Sequence, residues 1–131
     1  MKVEQIYTGC LAQGAYYIMS EGEVAIIDPL REVDAYIQRA LVDKAKIKYV
    51  LKTHFHADFV SGHLDLAKKT GAKIVYGPTA APAFDFYSAK DGETLSLGKI
   101  KIKVIHTPGH TMESTCYLLE DELGKEVALF S

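Results

Sequence analysis

A chain of 131 residues with 48% hydrophobic and 24% charged side chains holds enough apolar material for one buried core, so a single domain over 1–131 is expected, not a disordered tail or a repeat array. The formal net charge of −2 supplies no basic field for a phosphate backbone, which removes nucleic acid from the expected partners. No apolar run approaches the roughly 18–20 residues that span a bilayer, and residues 1–7 lack the apolar core of a signal peptide, so a soluble cytoplasmic protein with no membrane partner is expected.

Residues 3–8 and Ala15–Ser20 read as strands, with Gly14 between them. Val24-Ala25-Ile26-Ile27-Asp28 is a short, nearly unbroken apolar run of the kind found in a strand buried on both faces, ended by Pro29. Over 32–43 the apolar residues Val33, Tyr36, Ile37, Ala40 and Leu41 recur at helical spacing, and acidic residues sit in the first turn, which predicts an amphipathic helix with one buried stripe. Residues 47–52 return to strand character. Ser61 can cap a second helix through Leu64, Leu66 and Ala67, closed by Gly71. Lys73–Tyr76 is a further strand, and 79–90 has no clear period, a short helix and loop walling a cleft being the expectation. Thr94–Leu97, residues 99–105, residues 115–119 and Glu126–Phe130 cluster or alternate β-formers between turns at Asp91-Gly92, Gly98-Lys99 and 120–124. The two cysteines, Cys10 and Cys116, are too few for a disulfide framework and read as reduced thiols packed as small apolar groups.

All five histidines lie between positions 54 and 110, and they cluster. His54, His56 and His63 share the segment Thr53-His54-Phe55-His56-Ala57-Asp58-Phe59-Val60-Ser61-Gly62-His63, while His106 and His110 flank Thr107-Pro108-Gly109. In an extended segment residues i and i+2 point the same way, so His54, His56 and Asp58 can face one pocket while Phe55 and Ala57 face the core. Pro108-Gly109 predicts a tight turn that brings His110 in rigidly from a distant part of the chain. A single histidine is more often a hydrogen-bonded or surface residue than a ligand. Imidazoles and a carboxylate in loops leaving two strands make a metal site instead, with zinc and iron as the commonest partners of such donors. His63 and His106 each have a simpler explanation, hydrogen bonding to backbone in their loops. The tyrosines and phenylalanines between 76 and 87 suit core packing first and can also line a cleft for a thiol.

His54-Phe55-His56-Ala57-Asp58-Phe59 and Gly109-His110 resemble the H-x-H-x-D-H loop and downstream G-H of the metallo-β-lactamase superfamily, and the likeness includes Asp28-Pro29. It implies an α/β fold, the αββα sandwich, of which this sequence supplies the first half and the opening strands of the second. Within the superfamily, His56-Ala57-Asp58-Phe59-Val60-Ser61-Gly62-His63 and His106-Thr107-Pro108-Gly109-His110-Thr111-Met112-Glu113-Ser114 are most similar to the persulfide dioxygenases, particularly those fused to rhodanese domains. That likeness implies one non-haem Fe(II) held by His54, His110 and a later aspartate, with His56 and Asp58 beside it as catalytic groups that orient ligands and water. The substrate would be a low-molecular-weight thiol persulfide, oxidised to sulfite. Phe59 stands where many two-zinc members carry a histidine, and an aromatic hydrocarbon cannot ligate a metal, so a two-metal hydrolytic site is disfavoured.

The Gly-Asp that would supply the third ligand is not among the 131 residues. Two alternatives therefore stand beside the dioxygenase: a Zn(II) hydrolase of a thioester or related acyl bond, and an inert or split half-domain needing a C-terminal partner segment. The 131-residue chain is expected to be nearly inactive by itself. Exposed sheet edge at 127–130 also leads us to expect self-association.

Overall fold

The computed structural model describes residues 1–6, 15–28, 34–53, 70–76, 87–106 and 115–130. Among them, β1 (Lys2–Ile6), β2 (Ala15–Ser20) and β3 (Glu23–Ile27) form an antiparallel meander. The turn from β2 to β3 has two central residues, Glu21 and Gly22, both with positive φ (50° and 77°). That is the primed geometry whose twist matches the flanking strands. Helix α1 (Asp34–Val42) then carries the chain to β4 (Lys46–Leu51), which pairs parallel to β3. Strands β5 (Lys73–Tyr76) and β6 (Tyr87–Ser88) extend the same sheet in parallel, giving six strands in chain order. The second sheet is antiparallel, β10-β9-β8-β7, built from β7 (Thr94–Leu97), β8 (Ile100–His106), β9 (Thr115–Glu120) and β10 (Glu126–Phe130).

Alternation along the strands builds two apolar layers. Ile18, Ala25, Ile27, Leu51 and Val75 from the first sheet meet Leu95, Leu97, Ile102, Val104, Tyr117, Leu119 and Phe130 from the second in one buried cluster. The opposite face of the first sheet contributes Ala15, Tyr17, Val24, Ile26, Ile47 and Val50, and α1 covers it with Tyr36 and Ala40. The order helix, sheet, sheet is the α/β layering that the sequence likeness implied. Burial of β3 on both faces follows, with Val24 to Ile27 at most 1% exposed. In β4 a register shift opposite Val24 and Ala25 resets the phase, so that Ile47 and Val50, three apart, share the helix side.

Two expectations need correction. Leu41 was placed in the buried stripe of α1, yet it is 65% exposed. At about 100° per residue it lies a further 100° around from Ala40 and beyond the sheet. Strand β6, at the end of the stretch without period, was not foreseen. The second helix, anchored on Ser61, lies outside the described residues except for Thr70, which is helical and precedes Gly71 with its positive φ of 73°, suited to a helix end.

One end of the sandwich is closed by a clasp around Gly98. Its backbone N–H donates to Glu23 Oε1 at 2.7 Å and the Lys99 N–H to Ser20 Oγ at 3.1 Å. A Cβ on Gly98 would sit 2.2 Å from the Ser20 carbonyl oxygen. The other end, where β3, β4 and β5 finish and β9 begins, is where both histidine segments attach.

Candidate metal centre

His54, His56, Asp58, His63 and His110 lie outside the described residues; what the structure describes is the frame from which their segments leave. Among the described residues no group of three or more His, Cys, Asp and Glu side chains could hold a metal ion. His106 is the last residue of β8, opposite Thr115 in register, and its backbone N–H donates to Asp91 Oδ1 at 2.8 Å. Cys116 is a half-buried thiol that forms no disulfide among the described residues, and Cys10 is outside the described residues.

The frame centres on the two residues before His54. Lys52 N–H donates to Val75 O at 3.0 Å, continuing the β4–β5 ladder by one step. The carbonyl of Lys52 accepts the Tyr117 hydroxyl at 2.6 Å, a bond reaching from the second sheet to the first. Thr53 is gripped by one carboxylate: its N–H donates to Asp28 Oδ1 at 2.9 Å and its Oγ1–H to Asp28 Oδ2 at 2.5 Å. The Thr53 carbonyl in turn accepts the Thr115 N–H at 2.8 Å. Residues 53 and 115 thus bracket the two motif-bearing segments and are bonded to each other. Segments 54–63 and 107–114 spring from a shared anchor.

Asp28 owes its position to backbone as much as to charge. It follows β3 with a left-handed φ of 51°, a conformation that aspartate tolerates better than most residues. Its N–H donates to Leu51 O at 2.8 Å. The Lys52 ammonium approaches Asp28 Oδ1 to 3.7 Å while only 3% of its side chain is exposed. Burial pushes the lysine below its usual pKa range, and the Asp28 carboxylate opposes that shift. A carboxylate with two hydrogen bonds and a buried cation behind it is a fixed strut, so the peptide leading into His54 is held before any ligand arrives.

Sequence reading named Asp28 only as the end of a strand and as part of a likeness, and assigned no role to Lys52, Thr53, Thr115 or Tyr117. Signals were present: a lysine interrupts the apolar end of β4, and a tyrosine occupies an inward position of β9 between Thr115 and Leu119, where a buried hydroxyl must find an acceptor. What stayed hidden was the partner, because β4 and β9 are joined only through the fold.

Neutral imidazoles at His54 and His110 suit a borderline transition metal by donor chemistry, and the bond between Thr53 and Thr115 brings the roots of their segments together. The donor set and frame therefore fit a metal. No helix among the described residues is long and apolar enough to cross a membrane.

Residues 8–123 match the metallo-beta-lactamase superfamily. A hydroxyacylglutathione hydrolase of Maricaulis maris is 33% identical over 118 residues, covering 82% of this chain and 44% of that protein. A probable hydroxyacylglutathione hydrolase of Schizosaccharomyces pombe is 31% identical over 86% of this chain and 45% of its own length. The chain thus spans about half the length of the curated relatives it matches. The crystal structure of a metallo-beta-lactamase from Staphylococcus aureus superposes with a TM-score of 0.87 at 36% identity, over 100% of this chain and 42% of that one. ETHE1 from Myxococcus xanthus superposes with a TM-score of 0.81 at 29% identity, over 91% of this chain and 54% of that one. With the family match running over residues 8–123, from beyond β1 to past the end of β9, and with the histidine segments rooted at one end of a two-sheet sandwich, this chain belongs to the metallo-beta-lactamase superfamily.

Proposed function

We propose that this domain oxidises the outer sulfur of a low-molecular-weight thiol persulfide to sulfite, at a single non-haem iron held by His54 and His110 and completed by a carboxylate. The observation that carries this reading is Phe59. It leaves the H-x-H-x-D loop without the histidine that a second metal would need, so a one-metal site is favoured. The likeness to ETHE1, a persulfide dioxygenase, supports the same choice. Bound there, Fe(II) would supply open positions for the persulfide sulfur and dioxygen together.

The chain's own residues do the rest. His54 and His110 present neutral ring nitrogens from segments whose roots are pinned by Asp28 and Thr115. His56 takes up the persulfide S–H proton at a ring nitrogen, a role suited to a group that titrates near neutrality. Asp58 orients the water that supplies the third sulfite oxygen. Phe59 offers no donor to a second metal. Overall the persulfide gives four electrons to dioxygen, the S–S bond breaks, the carrier leaves as its thiol, and both dioxygen atoms and one water oxygen end in sulfite.

A second reading is favoured by the curated relatives, which are hydroxyacylglutathione hydrolases: hydrolysis of a glutathione thioester with Zn(II). Both readings place a sulfur of a small thiol carrier at the centre. Two assays on one preparation separate them. The chain, and a form that also carries a Gly-Asp segment after Ser131, are given glutathione persulfide with Fe(II) under an oxygen electrode, and a glutathione thioester with Zn(II). Oxygen uptake matched by sulfite release in the longer form is expected. Thioester hydrolysis without oxygen use would transfer the assignment to the hydrolase.

A further inference from the structure

Tyr117 is completely buried on the inner face of β9, where Phe would fill the core as well. Its hydroxyl is therefore a polar group brought into an apolar layer, which is costly unless it is bonded. The bond it makes is to Lys52 O at 2.6 Å, with Val75 O at 3.4 Å. The β4–β5 pairing ends at Leu51 opposite Val75, and the Tyr117 hydroxyl takes up the next carbonyl along. The following residue, Thr53, is held by Asp28 at its N–H and by Thr115 at its carbonyl. Both contacts from β9, the Tyr117 hydroxyl and the Thr115 N–H, thus fall on the two residues that precede His54, and they come from the strand that follows the His110 segment.

We infer that Tyr117 is a positioning residue for the metal centre, its hydroxyl fixing the root of the His54 segment against the root of the His110 segment so that both imidazoles converge. This rests on the reading that His54 and His110 share one metal. It is independent of whether persulfide or thioester is the substrate. Neither the comparisons nor the motif spacing assign Tyr117 a role.

Tyr17 provides the control. It is equally buried, and its hydroxyl donates to Asp43 Oδ2 at 2.7 Å on the helix side of the first sheet. Tyr17→Phe and Tyr117→Phe thus delete the same group from opposite sides of one sheet. Affinity for Fe(II) is measured anaerobically, and for Zn(II) in parallel, by competition with a chromophoric chelator, and urea melts are recorded for each variant. Tyr117→Phe is expected to weaken both metals by about tenfold, the range typical of lost support behind a ligand, whereas Tyr17→Phe lowers stability without weakening either. A loss of affinity in Tyr117→Phe no greater than in Tyr17→Phe overturns the inference. Should Tyr117→Phe not fold, amide exchange of the metal-free wild type decides: Thr53 and Thr115 amides as protected as the β3 core support the clamp, and rapid exchange at either refutes it. Loss of binding in His54→Ala with none in Tyr117→Phe defeats the clamp alone, while unchanged binding in His54→Ala defeats the shared-metal reading itself.

Discussion

Asp28 and Lys52 form an ion pair whose two members are not equivalent. Lys52 is almost wholly buried, while about a third of the Asp28 side chain is exposed. Removing the carboxylate strands a buried ammonium and frees both Thr53 donors, so Asp28→Ala is expected to cost about 3 kcal/mol. Replacing the ammonium with an apolar chain of similar length removes the buried charge itself, and Lys52→Met is expected to cost less than about 1 kcal/mol. Urea denaturation of the two variants checks the order; equal losses would show that the pair, not the Asp28 to Thr53 bonds, carries the stability. A different carboxylate governs acid behaviour. The Tyr17 hydroxyl and the Lys2 ammonium, both bonded to Asp43, hold it below its ordinary value of 3.8. A depressed folded pKa gives stability that is present above 3.8 and is lost as pH falls through the lower, folded value. Asp43→Asn should therefore flatten the fall in thermal midpoint below about pH 4. An unchanged acid limb would remove Asp43 from this role.

Strand termini, more than strand interiors, decide what this domain can do, and they were the less legible part. Ala15–Ser20, Lys73–Tyr76, Thr94–Leu97 and Glu126–Phe130 match the strands expected from their β-rich pattern, because each presents apolar residues to a buried layer at a period the chain itself displays. Tyr87–Ser88 has no such signature: two residues paired in parallel with partners twelve positions earlier carry little local information. The misplacement of Leu41 has the same origin, since a stripe read from spacing says nothing of how far the facing sheet extends. The donor residues of the candidate site were legible as a motif, whereas Tyr117 and Thr115, which anchor its frame, act across a sheet-to-sheet contact that no spacing reveals. At the opposite end, the turn between β7 and β8 depends on Gly98, whose φ is +56° and whose missing Cβ makes room for Ser20. Gly98→Ala should cost about 2–4 kcal/mol through strain and a forced shift of that backbone. A urea midpoint within error of wild type would mean that the clasp is dispensable.

Across the molecule, one sandwich offers a closed end at Gly98 and a working end at Asp28, Thr53 and Thr115, with apolar surface left on the outer strand β10. Val127 is 46% and Leu129 59% exposed, and an uncharged stretch on an outer strand favours pairing with another chain. We propose this strand as the surface through which the 131-residue chain would self-associate. Leu129→Lys should shift sedimentation of the 131-residue chain toward monomer, and a wild type already monomeric at high concentration would dismiss it. The working end rests on a stronger claim, that two histidine segments rooted on one hydrogen-bonded pair hold a single metal because Phe59 cannot hold a second. Elemental analysis of protein purified without oxygen, together with His54→Ala, tests this most directly. We expect no more than one transition metal per chain, iron in preference to zinc, and its loss in His54→Ala; two metals per chain, or metal retained after that substitution, would contradict the account.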